Sequence, residues 1–412
     1  MIKFHRFTLD NGLKVIVHQD NSTPLVAVNL LYNVGSKDEN PDKTGFAHLF
    51  EHLMFGGSKN ISRFDEPLER VGGENNAFTN NDFTNYYLTI PKSNLETAFW
   101  LESDRMNELA FSEKSLEVQQ SVVSEEFKQR YLNQPYGDTW LLLRPLAYKV
   151  HPYQWSTIGK ELSHITNATM EDVKAFFYRF YRPNNAILVV AGDVTPNEIK
   201  TLAEKWFGSI PSGTPYVRNL PKEPLQTEAR SLSVERQVPY DAIYKAYKMG
   251  KRTDIDFHAT DLLSDILSNG KSARLYQRLV KEQKIFSEIN AYLTGELEEG
   301  LFVITGKPFA GISLEIAEEA LIQEIELIKN NPVSAYELKK VKNKAESMFI
   351  FSQIKVLDKA MNLALFELMG DAENLNTEAS KYQNVTTDTI IRQAETIFNP
   401  DRCSTLYYRA IC

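Results

Sequence analysis

His48-Leu49-Phe50-Glu51-His52 is the stretch of this chain whose residue types and spacing are best suited to chemistry. On a helix, histidines four residues apart share one face, one turn apart. Two neutral imidazole nitrogens so placed can bind one Zn2+ ion. Glu51, three residues after His48, lies on the same face and can take a proton from water at the metal. This HxxEH order inverts the commoner zinc-peptidase helix motif. Catalytic zinc usually takes three protein ligands and keeps one position open, so a third ligand must come from elsewhere. Val122-Val123-Ser124-Glu125-Glu126-Phe127 offers two adjacent carboxylates on a long predicted helix. They point about 100 degrees apart around the helix, so one can face the site, and spacing alone leaves both open. The plain alternative is two ordinary helix histidines and a solvated acidic face.

The elements that must position these residues follow from local pattern. The run Thr44 to Phe55 reads as a helix stopped by Gly56-Gly57. Ahead of it, Asn11-Gly12 between two β-like runs signals a hairpin, and Leu25 to Tyr32 a strand. Residues 74–90 read as paired strands and 113–132 as a long amphipathic helix. Past Gly208, scattered prolines and glycines without periodicity mark a linker. The expected division is 1–210, a linker at 211–228, and 229–412.

The second half repeats the style of the first. Leu30-Leu31-Tyr32-Asn33-Val34-Gly35 resembles Lys245-Ala246-Tyr247-Lys248-Met249-Gly250, and each is followed by a helix ending at glycine. With Gly57 set against Gly270, His48, Glu51 and His52 fall opposite Asp261, Ser264 and Asp265. The second half is therefore expected to lack metal ligands. The fold class expected is α+β: two similar domains, each an antiparallel or mixed sheet packed against helices on one side, with a chamber between them.

Bulk composition narrows the function classes. At 412 residues the chain exceeds what one core usually organises. A formal net charge of -8 and no basic stripe argue against nucleic acid and anionic membranes as partners. The two cysteines, Cys403 and Cys412, form no disulfide framework, and the N-terminus lacks a continuous apolar stretch. The reading is of a cytoplasmic protein.

Gly45-Phe46-Ala47-His48-Leu49-Phe50-Glu51-His52-Leu53-Met54-Phe55-Gly56-Gly57-Ser58 resembles the zinc helix of the pitrilysin family, which includes insulin-degrading enzyme and mitochondrial processing peptidase. Gly72 to Thr79, Thr84-Asn85-Tyr86-Tyr87, Val122 to Glu126, His151-Pro152-Tyr153 and Ile158-Gly159 continue the resemblance in order. It implies a zinc metalloendopeptidase with one Zn2+ per chain held by His48, His52 and Glu126, and with Glu51 as general base. It further implies that Asn76, Ala77 and Phe78 lie on an edge strand that pairs with extended substrate. Where the family carries a supporting glutamate seven residues before the last ligand, this chain has Gln119, a candidate outer-shell residue.

The family's second half normally supplies an arginine and, seven residues later, a tyrosine that hold the substrate backbone. Val280 and Ser287 stand there in this chain. Losing such donors typically costs about a hundredfold each. The resemblance thus implies a metal-bearing subunit whose homologous partner brings the arginine–tyrosine pair, as a heterodimer, with a homodimer possible. Arg274, in Ser272-Ala273-Arg274-Leu275-Tyr276, is a candidate substitute cation, but the family commonly carries a similar Ser-Arg-Leu beside its functional pair, which implies a structural role. The competing class is a noncatalytic assembly or peptide-binding subunit that keeps the fold.

Overall fold

The structure is a computed structural model that describes residues 1–331 and 333–411; Cys412, one of the two cysteines, lies outside them. Cys403 is buried with a free thiol. No helix among the described residues is long and apolar enough to cross a membrane.

The strands of the first half are β1 (His5–Thr8), β2 (Lys14–Gln19), β3 (Leu25–Tyr32), β4 (Glu74–Thr79), β5 (Thr84–Pro91) and β6 (Ala186–Gly192). They form one mixed sheet in the order β1-β2-β6-β3-β5-β4, antiparallel except for the parallel β2–β6 pair. Every residue of β6 is buried, as a central strand covered on both faces requires. The second half contributes β7 (Arg230–Arg236), β8 (Ala242–Lys248), β9 (Phe286–Leu293), β10 (Leu301–Pro308) and β11 (Cys403–Ala410). Their order is β7-β11-β8-β10-β9, with β7–β11 as the one parallel pair. This reproduces the order β2-β6-β3-β5-β4, so the duplication legible in the sequence is a duplication of topology. The fold is α+β with two such sheets.

The helix between β8 and β9, Phe257–Ser268, packs on one face of the second sheet with Ile243, Tyr247, Phe302 and Ile304. The alternate residues Ala242, Ala246, Leu301 and Val303 face the other way, against Leu143 and Ala147 of the helix Thr139–Ala147. In the first sheet, β3 and β6 receive the helix Val356–Leu368. Each sheet thus gains a helix from the other half of the chain, in addition to the helical side expected from sequence.

That exchange corrects the expected domain division. One compact unit comprises Met1–Lys128, Trp155–Pro221 and Ile350–Thr377, and the other Gln129–Gln154, Lys222–Phe349 and Glu378–Cys412. A single boundary at 211–228 is not how the units divide. An amphipathic pattern states that a helix needs a sheet to cover and not which sheet. The first part of the expected linker is fastened to the first unit: Arg218 Nε donates to Asp38 Oδ1 at 2.7 Å, and Gly213 N–H to Asn184 Oδ1 at 2.8 Å.

Candidate metal centre

The helix that carries the histidines, Phe46–Leu53, has only eight residues, too few to be stable on propensity alone. Its first turn is held from outside. Gly45 enters at φ 88°, and a Cβ there would lie 2.6 Å from Ile165 Cδ1 and 2.7 Å from the Ile158 carbonyl oxygen, so only glycine fits. Glu39 accepts the Gly45 and Ala47 N–H groups at 2.9 Å each, one per oxygen, and the Trp155 Nε1–H at 3.0 Å. Burial pushes its carboxyl up to about 8 against the pull of those three donors. Thr44 Oγ1 accepts from Lys160 N–H at 2.8 Å, which ties the approach to the helix to the Ile158-Gly159 turn. The apolar side, Phe46, Ala47, Leu49, Phe50 and Leu53, is buried, with Phe50 stacked on Tyr181 at 5.2 Å. His48, Glu51 and His52 are left half-buried on the other side.

The predicted helix over 113–132 is α-helical over Glu113–Phe127 and continues as one π turn to Leu132. Gln120 Nε2 donates to the Ile165 and Ala168 carbonyls at 2.9 Å each, and Ser115 Oγ to the Gly56 carbonyl at 3.4 Å. These bonds hold the helix alongside the end of the histidine helix. Glu126 Oε2 lies 3.6 Å from His48 Nε2 and 3.4 Å from His52 Nε2. The two imidazoles stand perpendicular, 4.9 Å between centres. Glu125, the neighbour that spacing left open, points outward and takes the Lys128 ammonium at 2.7 Å.

Zinc bonds of about 2.0–2.2 Å in a tetrahedron put neighbouring donor atoms about 3.3–3.6 Å apart. The separations at Glu126 fit that, and two imidazoles with one carboxylate leave a fourth position for water or substrate. Among the described residues, His48, His52 and Glu126 form the one histidine, cysteine and acidic group close enough to hold a metal ion.

The other expected residues fall as follows. Glu51 shares the helix; burial first, and then the Glu51 charge, raises the Tyr87 hydroxyl on β5. Asn76, Ala77 and Phe78 lie on β4, which is an edge of its sheet, and pair with Tyr87, Tyr86 and Asn85 of β5. Ala77 N–H donates to Asn76 Oδ1 at 2.8 Å. Thr79 Oγ1 lies 3.5 Å from the Ala47 carbonyl, so the edge strand runs beside the histidine helix. Gln119 is half-exposed, two helical turns before Glu126. Its neighbour Gln120 makes the anchoring bonds instead, which sequence reasoning missed. It missed Glu39 as well, since a cap reaching across six residues leaves no local capping pattern.

Among the described residues the second unit has no such centre. Asp261 accepts the Tyr382 hydroxyl at 2.6 Å, Asp265 is bonded by Asn269, and Ser264 donates to the Asp261 carbonyl at 2.8 Å. On edge strand β9, Ser268 Oγ occupies the main chain of Ala291, 2.7 Å from its N–H and 2.9 Å from its carbonyl. Val280 packs against the core, and Ser287 Oγ donates to the Lys307 carbonyl at 2.9 Å. Arg274 clasps both Glu337 oxygens, at 2.9 and 3.1 Å, in keeping with a structural role.

Residues 14–138 match the family described as Insulinase (Peptidase family M16), and residues 167–345 the one described as Peptidase M16 inactive domain. Over 417 residues the chain is 30% identical to the zinc protease PqqE of Helicobacter pylori, across 99% of this chain and 93% of that one. This chain belongs to the M16 peptidase family, the pitrilysin family. The crystal structure of a protease from Helicobacter pylori matches it with a TM-score of 0.93 at 29% identity, covering 99% of this chain and all of that one (100%). Pitrilysin matches in fold, with a TM-score of 0.78 at 18% identity, over 99% of this chain and 45% of its own longer chain. In this M16 chain His48, Glu51, His52 and Glu126 all fall within the Insulinase match. Asp261, Ser264 and Asp265 fall within the match described as inactive. At the level of the family the chain is a peptidase of the zinc-protease class.

Proposed function

We propose that this M16 chain is a zinc-dependent endopeptidase subunit acting on extended peptides. The observation that carries the reading is the convergence of His48, His52 and Glu126 from two helices at zinc-like spacing beside an edge strand. These three residues would hold one Zn2+ per chain, which when bound supplies Lewis acidity to the scissile carbonyl and to water. Glu51 is the general base: it takes a proton from the attacking water and returns it to the leaving amine. β4 binds the substrate main chain at Asn76, Ala77 and Phe78, so affinity comes from backbone hydrogen bonds with little sequence demand. Gln119 stands as the outer-shell candidate on the ligand helix. The cytoplasmic assignment belongs to this proposal, and fractionation of the native host tests it.

The arginine–tyrosine pair is supplied by a homologous partner chain. Val280, apolar and packed against the core, and Ser287, whose hydroxyl is bonded to main chain, support this, because neither replaces the arginine and tyrosine donors to a tetrahedral intermediate. The mitochondrial-processing peptidase subunit beta of Saccharomyces cerevisiae, 27% identical over 228 residues, is by name a subunit. The same two residues favour the second reading, a noncatalytic peptide-binding or assembly subunit.

Cleavage of an unstructured peptide by the zinc-loaded chain, alone and with whatever copurifies from the host, tests both. The endopeptidase reading expects weak activity alone, a gain with the partner, and a loss of about 10^2–10^4-fold in Glu51→Gln. Indifference to Glu51→Gln gives the case to the noncatalytic reading, and full family-like rates from the isolated chain remove the need for a partner.

A further inference from the structure

We propose that Glu39 is a positioning residue of the metal centre: its buried carboxylate sets the placement of the Phe46–Leu53 helix and thereby how tightly His48 and His52 can share an ion with Glu126. The inference rests on the proposed function and adds a residue that lies outside the HxxEH motif and the Glu126 helix.

Three N–H donors converge on the two oxygens, an arrangement that holds the ionised carboxylate; burial raises this group to about 8, so zinc affinities are compared above that pH. One oxygen takes the Ala47 N–H, the other takes the Gly45 N–H, all at 2.9 Å, and the second oxygen also takes the Trp155 Nε1–H. Trp155 shares that same N–H with the Ser36 carbonyl at 3.0 Å, so the indole bridges the cap to the segment before it. The first N–H groups of a helix have no partners within it, and an acceptor of two oxygens satisfies two of them at once. Ala47 is the residue immediately before His48, so the clamp acts one peptide bond from a ligand. Gly45 cannot drift to compensate, because Ile165 and Ile158 close around it. Glu126 reaches the site on a helix separately anchored by Gln120 to the Ile165 and Ala168 carbonyls. Two tethered helices meet at one point, and Glu39 holds one of the tethers.

Glutamine at this position has one acceptor oxygen, and its amide would turn a donor toward a donor in either orientation. The full-length chain, metal-free and then titrated with zinc against a chromophoric chelator, reads the consequence directly. Glu39→Gln is expected to weaken zinc affinity about 10–100-fold, the range found for outer-shell support of metal ligands. Its circular dichroism below the unfolding transition should match that of the parent. Glu51→Gln, which leaves the tether intact, should bind zinc as the parent does. Trp155→Phe, which removes one of three donors, should weaken zinc several-fold and serves as the test if Glu39→Gln does not fold. A folded Glu39→Gln or Trp155→Phe chain whose zinc affinity equals the parent's overturns the inference and leaves Glu39 a stability residue. Failure of the parent chain itself to bind zinc removes the proposed function, and this inference with it.

Discussion

Glu126 Oε2 and His52 Nε2 lie 3.4 Å apart although 74 positions separate them in the chain, and each stands on a helix held by its own contacts. Glu125, one position earlier, is turned to solvent and bonded to Lys128. Glu126→Gln should therefore weaken zinc binding by more than the roughly 10–100-fold that loss of an outer-shell partner costs. Glu125→Gln should leave it unchanged. Zinc content after dialysis checks this, and equal losses in the two variants would contradict the assignment of Glu126.

The proposed capture of substrate on β4 would use main chain, and Ala77 N–H is engaged by Asn76 Oδ1. Proline is tolerated on sheet edges when the ladder does not need its N–H. Ala77→Pro is predicted to raise KM about tenfold, the worth of one main-chain bond, with kcat nearly unchanged. Steady-state kinetics on an extended peptide decide it: an unaltered KM means the substrate does not use this strand.

Arg274 has a structural account. Its hydrogen bonds draw the Glu337 carboxyl down to about 2, below the unfolded value of 4.5. An acid depressed in the folded state contributes stability that is present above its unfolded value and lost as pH falls toward the folded one. Arg274→Ala should reduce stability at neutral pH, flatten the acid limb between about pH 4.5 and 2, and leave kcat/KM unchanged. A fall in kcat/KM without a change in the unfolding curve would instead make Arg274 a substrate cation.

Lys248 gives a slope of the same sign in a higher pH window. Its ammonium nitrogen is buried 3.1 Å from the centre of the Tyr148 ring, and burial lowers it from 10.5 to about 7 despite the nearby Glu223, Glu299 and Glu296. The unfolded chain then holds more protons across that window, so stability rises with pH between about 7 and 10.5 and is lost as pH falls through it. Lys248→Met removes the slope, at most about 1.4 kcal/mol per pH unit. Urea unfolding at several pH values measures it, and parallel profiles for parent and variant would refute the burial account.

Local pattern carried a large part of the fold. Leu25 to Tyr32 forms a strand over the expected residues, residues 74–90 hold the paired strands β4 and β5, and the Asn11-Gly12 turn joins β1 to β2. The expected helix over Thr44 to Phe55 is shorter, because Gly45 enters left-handed and Met54 ends it. The expected helix over 113–132 changes character at its end, where Lys128–Leu132 is a π turn. The helix Thr139–Ala147 was not anticipated at all; an interior proline, Pro145, and a stretch apolar on several sides obscure its period.

What the residues determine by themselves is short-range: that His48, Glu51 and His52 share a helix face, that two imidazoles alone leave a zinc site short of a third ligand, and that the second half repeats the first with Asp261, Ser264 and Asp265 in their places. Those follow from the 3.6-residue period and from matching strings, which need no knowledge of distant neighbours. Only the tertiary structure showed Glu126 beside the imidazoles and Glu125 turned away, where spacing left both open, brought Glu39 under the histidine helix, and assigned residues 129–154 and 350–377 to the opposite units. Each of those depends on which surfaces pack together across long separations, and a helix or strand written in one segment does not say which partner will bury it.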